Sequence, residues 1–188
     1  MRLTGGGARG RRLKAPRGHL VRPTADRVRE ALFDILGARV DGARFLDVYA
    51  GTGAVGCEAL SRGAARAVFL ERDRRSLELI EHNLMLGPWA GAAEILAGEA
   101  RRSLQDLDRR RERFDVIFLD PPYDDPELDD VLALAARMLT PRGALVVEHR
   151  SSRAIEAPSD GPLLKLRSYR YGDTSLTVAR AAEGVPRP

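Results

Sequence analysis

The 188-residue sequence predicts an α/β protein built on a doubly wound, mostly parallel sheet, with a C-terminal antiparallel hairpin and a small basic N-terminal hairpin or arm. Three observations predict it. Short apolar runs alternate with amphipathic stretches from residue 44 onward, a glycine-rich loop follows the first run, and a turn signal separates the last two.

Residues 1–23 mix Gly, Arg and short apolar pieces (Arg11-Arg12-Leu13-Lys14, His19-Leu20-Val21), which suits a hairpin or extended arm better than a helix. Thr24 can cap the next segment, where Val28, Ala31, Leu32, Ile35 and Leu36 recur at helical spacing until Gly37. Five apolar runs follow, Arg44 to Tyr49, Ala67 to Leu70, Glu94 to Ala97, Val116 to Leu119 and Ala144 to Val147, and read as strands buried on both faces. Between them, helical stretches are expected near Val55 to Ser61, Arg74 to Leu86, Ala100 to Arg111 and Leu128 to Leu139. Residues Leu163 to Arg180 hold two strand-like runs split by Tyr171-Gly172-Asp173-Thr174, and residues 183–188 are expected to be disordered.

A hydrophobic content of 44% supports one core, so residues 24–182 are expected to form a single domain carrying the arm. Cys57 is the only cysteine, which excludes a disulfide framework and a cysteine-based zinc cluster. No apolar run is long enough to span a bilayer and the N-terminus lacks an apolar signal core, so a cytoplasmic monomer is expected.

The net charge of +4 is unevenly placed. Residues 1–30 carry nine basic side chains (Arg2, Arg9, Arg11, Arg12, Lys14, Arg17, Arg22, Arg27, Arg29) against Asp26 and Glu30, giving +7 and leaving −3 for the rest. A flexible arm of that charge favours a polyanion, because each phosphate it neutralises releases counterions. A solvated tail in an Arg-rich sequence is the bland alternative.

The first strand runs into Asp47-Val48-Tyr49-Ala50-Gly51-Thr52-Gly53-Ala54-Val55-Gly56, which contains G-x-G-x-x-G opening a helix. Its glycines allow a tight turn and let a ligand lie against bare backbone at the carboxyl edge of the sheet. Asp47 separates the ligands. A carboxylate about 5 Å from a pyrophosphate would cost roughly 3 kcal/mol per charge pair, which argues against a dinucleotide. S-adenosylmethionine has an ammonium group and no phosphate, so Asp47 suits it. Glu71 ends the second strand, where an acid accepts from ribose hydroxyls. Glu99, after the third strand, could accept from an adenine amine or serve only as a helix-start acid.

The fourth strand runs into Asp120-Pro121-Pro122-Tyr123. Two prolines remove two amide donors and fix two φ angles, leaving a stiff loop with a carboxylate, bare carbonyls and an aromatic face. That inventory fits an aromatic amine. If Asp120 and the Pro121 carbonyl each accept one N–H, the nitrogen can pyramidalise and aim its lone pair at a methyl carbon. Tyr123 would stack on the base, worth about 1–3 kcal/mol. Transfer would be in-line, accelerated by positioning, with no metal required. Adenine, cytosine and guanine amines remain equally open, and a proline turn alone would also explain the tetrapeptide.

Together these features resemble the Rossmann-like class I methyltransferases. Gly10-Arg11-Arg12-Leu13-Lys14, Arg22 to Phe33, Glu58 to Ala64 and Tyr171 to Thr174 further resemble the bacterial 16S ribosomal RNA guanine-N2 methyltransferases that modify guanine 966. The resemblance implies transfer from S-adenosylmethionine to a guanine N2 amine in small-subunit rRNA, on an assembling particle that includes ribosomal proteins. It implies that Asp120, Pro121, Pro122 and Tyr123 act on the base, while Asp47, Tyr49, Ala50, Gly51, Thr52, Gly53, Glu71 and Glu99 hold the cofactor. It also implies that Arg9, Arg11, Arg12, Lys14 and Arg22 meet RNA, with Arg22 and Thr24 lining the site or ordering its covering helix. Tyr49 stands where many relatives have Phe, and Glu99 where many have Asp. A DNA adenine-N6 methyltransferase and a non-catalytic RNA-binding assembly factor are the competing functions.

Overall fold

The computed structural model describes residues 1–16, 23–89, 91–156 and 163–181. Thirteen segments follow in chain order: α1 (Pro23–Leu36), a 3-10 turn (Gly37–Arg39), β1 (Arg44–Val48), α2 (Ala54–Ser61), β2 (Arg66–Glu71), α3 (Arg74–Leu84), β3 (Ala93–Ala97), α4 (Ala100–Arg109), β4 (Phe114–Leu119), α5 (Leu128–Arg137), β5 (Leu139–Arg150), β6 (Leu163–Tyr171) and β7 (Thr174–Ala181). They form one seven-stranded sheet in the order β3-β2-β1-β4-β5-β7-β6. The first five in that order pair in parallel, and β7 pairs antiparallel with both β5 and β6.

The central strands are buried on both faces because helices cover each side. Phe45, Phe69, Val116, Phe118 and Val146 face one cluster with Leu32 and Phe33 of α1 and Cys57 of α2. Leu46, Leu70, Ile117 and Val147 face the other, with Leu104 of α4 and Val131 and Leu132 of α5. Chain order reverses between β1 and β4, so the connections leaving their carboxyl ends run to opposite faces of the sheet and open a crevice there.

Several boundaries differ from the sequence expectation. Helix α1 begins at Pro23, so Thr24 lies inside its first turn and is not its cap; proline's fixed φ suits a first helical position. Strand β1 stops at Val48, because Tyr49 has a φ of 63°. Strand β5 is much longer than Ala144 to Val147, and Leu139, placed in α5 by apolar periodicity, starts it.

The N-terminal segment, for which the sequence left a hairpin or an extended arm open, is docked on the core. Arg2 bridges Arg12 in antiparallel fashion, and Leu3, Ala8 and Leu13 are buried. Glu58 of α2, fully buried, accepts from the Thr4 amide (2.8 Å), the Thr4 hydroxyl (2.7 Å) and the Gly5 amide (2.7 Å). Asn83 of α3 bonds both the amide and carbonyl of Lys14 and, through the same amide nitrogen, the Thr52 carbonyl of the glycine loop. Such buried polar contacts hold a single arrangement because each group lost from water regains a partner. Residues His19-Leu20-Val21, Arg17, Arg22 and the 183–188 tail lie outside the described residues. Among the described residues, no helix is long and apolar enough to cross a membrane.

Candidate active site

Asp47 and Glu71 stand at strand ends on the carboxyl edge of the sheet, and Asp120 and Glu99 follow within two residues of theirs. Asp47, on β1, is 1% exposed, and its Oδ2 accepts from the Gly56 amide at 2.8 Å, tying the strand to the first turn of α2. Burial pushes its carboxyl well above the usual range; the Gly56 N–H opposes this, and the charges of Asp120 and Glu71 add to it. A bound cation would reverse that balance and favour the carboxylate.

The glycine loop is shaped by three different demands. Gly51 (φ 54°) and Gly53 (φ 72°) occupy left-handed backbone, and a Cβ on Gly51 would meet nothing within 4 Å. At Gly56 a Cβ would lie 2.2 Å from the Phe69 ring, so this glycine serves helix–sheet packing. Glu71 closes the loop from β2: its Oε2 accepts from the Gly51 amide at 2.7 Å, and its Oε1 accepts from the Arg72 and Asp73 amides, each at 2.8 Å. A carboxylate offers about four lone pairs, so one remains for a hydroxyl donor.

Tyr49 is held in left-handed backbone, uncommon for a residue with a Cβ, and its hydroxyl donates to Asp125 Oδ2 at 2.6 Å. Burial, then the Asp125 carboxylate, raise its phenol far above the ordinary value. The bond staples the glycine loop to the segment after Asp120-Pro121-Pro122-Tyr123, so the two motifs are held as one unit.

Asp120 and Tyr123 open to the cleft, whereas Pro121 is buried. Although Asp120 reaches the surface, protein crowds it elsewhere, and that loss of solvation raises its carboxyl to about 6. The Tyr123 ring is 47% exposed and carries the Arg150 guanidinium 4.2 Å from its centroid. Arg153 donates to the Tyr123 carbonyl at 3.4 Å.

A cleft of about 470 Å³ joins Tyr49, Glu71, Gly98, Glu99, Asp120 and the prolines to Tyr123. An adjoining cavity of about 200 Å³ takes in Ala50, Gly51, Thr52, Asp47, Asp120, Arg29 and Glu148. Of the residues predicted from sequence for cofactor and base, all but Gly53 line these two spaces, which share Tyr49 and Asp120. Glu99 sits at the start of α4 without a capping side-chain bond, largely exposed and paired with Arg72 at 3.1 Å. Of the predicted basic set, Arg9, Arg11, Arg12 and Lys14 are exposed, and Arg11 donates to the Leu86 carbonyl.

Glu148 is the residue that sequence reasoning missed. It lines the smaller cavity, and burial first and the Asp120 charge second raise its carboxyl to about 8. A signal for it exists in the sequence: it follows an apolar strand run, as do Glu71 and Asp120.

The family described as Conserved hypothetical protein 95 matches residues 1–180. YlbH of Bacillus subtilis is 38% identical over 181 residues, covering 95% of this chain and 97% of that one. The ribosomal RNA small subunit methyltransferase D of Haemophilus influenzae is 30% identical, over 88% of this chain and 86% of that one. Among solved structures, yhhF from Escherichia coli superposes with a TM-score of 0.83 at 31% identity, covering 98% and 99% of the two chains. With its glycine loop, strand-end acids and docked N-terminal segment in place, the chain belongs to the Conserved hypothetical protein 95 family, alongside the ribosomal RNA small subunit methyltransferase D proteins.

Proposed function

We propose that this chain transfers the methyl group of S-adenosylmethionine to the exocyclic N2 amine of a guanine in 16S rRNA of the small ribosomal subunit. The observation that carries the reading is the junction of the two motifs: the glycine loop and the Asp120–Tyr123 loop line two adjoining spaces that share Tyr49 and Asp120, in a chain whose relatives include an rRNA small subunit methyltransferase.

The residues fit the cofactor. Asp47, Glu71, Glu99 and Asp120 surround the two spaces with negative charge, which repels a pyrophosphate and suits a sulfonium with an ammonium group. Glu71 and Glu99 would meet ribose and adenine, while Asp47 and the backbone of Tyr49, Ala50, Gly51, Thr52 and Gly53 would hold the methionine end. Bound there, S-adenosylmethionine supplies an electrophilic methyl group.

In this reading, Asp120 and the Pro121 carbonyl accept the two N–H groups of the amine and turn its lone pair out of the ring. Pro122 keeps the loop stiff and Tyr123 stacks on the base. The acceleration comes from holding the nitrogen in line with the methyl carbon. Arg9, Arg11, Arg12 and Lys14 would meet phosphates from the exposed side of the docked segment, joined by Arg22, with residues 1–23 acting as the RNA-contacting part of a monomer. The substrate is an assembling subunit particle, and the base must be splayed from its stack to enter the cleft.

Labelled S-adenosylmethionine, offered with unmodified small-subunit particles or free DNA, tests the reading. Label on a single guanine of the particle is expected; label only on DNA adenine would overturn it. Absence of cofactor binding by calorimetry, with RNA retained, would favour an assembly factor.

A further inference from the structure

Strand β5 carries an acid that the proposed chemistry leaves unused. Val147 pairs with Leu119, the last residue of β4, so Glu148 stands one register step on, level with Asp120 just past the end of that parallel strand. Neighbouring strands lie about 4.8 Å apart, and matched residues point to the same face. Two residues back, Phe118 and Val146 are also matched and both enter the core beneath α1 and α2. Asp120 and Glu148 therefore stand side by side on that face, and both line the 200 Å³ cavity that Arg29 of α1 also lines. Neither acid takes a hydrogen bond that would offset its loss of solvation, among the described residues.

Two adjacent acceptors fit a base edge that offers two adjacent donors. Guanine has one: its N1–H lies next to the N2 amine. Adenine at N1 and cytosine at N3 present a bare acceptor beside their amines, which would face an acceptor across the site. A site built to bond one such edge rejects the other because a buried polar group is left unpaired.

We propose that Glu148 reads the target base, accepting the N1–H of guanine while Asp120 accepts from the N2 amine. The inference rests on the guanine-N2 reading above and supplies the selectivity that the Asp120–Tyr123 loop lacks. A carboxyl group accepts through its carbonyl oxygen when protonated as well as when ionised, so the contact survives in either state. Guanine's remaining edge atom, O6, is an acceptor, and the Arg29 guanidinium lines the same cavity.

The base 2-aminopurine keeps the amine, lacks O6 and carries a bare acceptor at N1. Unmodified small-subunit particles are reconstituted with guanine or 2-aminopurine at the methylated nucleotide, and kcat/KM is measured for wild type and Glu148→Gln, whose amide can donate. Wild type is expected to prefer guanine by at least about tenfold. Glu148→Gln is expected to slow on guanine and narrow that preference about tenfold or more, with S-adenosylmethionine affinity by calorimetry unchanged. An undiminished preference in Glu148→Gln overturns the proposal, since a merely structural residue would slow both bases alike. Wild type treating the two bases equally overturns it without any variant. Methylation of neither base by wild type would instead strike at the guanine-N2 reading itself.

Discussion

Glu58 and Asp120 are both carboxylates crowded by protein, and they end in opposite circumstances. Glu58, within α2, accepts from Thr4, Gly5 and Arg62, the last at 2.9 Å, with Arg29 3.6 Å away. Asp120, past the end of β4, is crowded without comparable donors, and its carboxyl is held near 6. One acid joins the N-terminal segment to the core and is saturated by it. The other keeps its bonding capacity for something that enters the cleft. Burial alone therefore does not mark a functional acid; what separates these two is whether donors from the protein already fill the carboxylate.

Removing each acid separates the two roles. Asp120→Ala should lower kcat on unmodified small-subunit particles by at least about 100-fold, as expected for a group that orients the amine for in-line transfer. Cofactor affinity by calorimetry should change little; unchanged turnover would place Asp120 with the structural acids. Glu58→Ala should cost about 2–5 kcal/mol of stability in urea unfolding, because it leaves the Thr4 and Gly5 amides without their acceptor, while Arg29 keeps Asp26 and the Arg2 carbonyl. A loss below about 1 kcal/mol would show that the docked segment is held by Leu3, Ala8 and Leu13 alone.

A smaller effect is expected on the outer side of the docked segment. Changing Arg9 and Arg12 to Gln should flatten the salt dependence of RNA binding, by roughly 0.7–0.9 for each phosphate no longer neutralised, while sparing stability, since both are exposed. An unaltered slope would make these arginines a solvated surface.

A further effect is on the pH dependence of stability. The folded chain holds the Glu148 carboxyl at about 8, above the usual value near 4.5. Between those values the folded state binds more protons than the unfolded one, so this contribution is present below about 4.5 and lost as pH rises towards 8. Urea unfolding at pH 5 and pH 8.5 should show a decline that Glu148→Gln reduces. An identical decline in the variant would mean that Glu148 is not desolvated as described.

Much of the site is legible in the sequence because strand ends announce themselves. Asp47, Glu71 and Asp120 each close an apolar run, and in a parallel sheet all such ends share one edge. The same rule applied to the fifth strand, whose apolar run ends at Val147, points to Glu148 as the next residue. The Tyr49–Asp125 bond is not legible, because it joins residues 76 apart and depends on the left-handed backbone at Tyr49. The docking of residues 1–14 is also hidden. Glycine and arginine there read as a hairpin or an extended arm, and the partners that fix it, Glu58 and Asn83, look like ordinary polar residues on amphipathic helices.

By itself the sequence determined the alternation of strand and helix, the carboxyl edge of the sheet, and the two loops that meet there. Local spacing and backbone chemistry govern all of these, and both are written along the chain. Only the tertiary structure decided which acids are saturated and which are left open, since that depends on donors brought from distant segments. It also set Glu148 beside Asp120, because strand register fixes neighbours that are 28 positions apart in sequence.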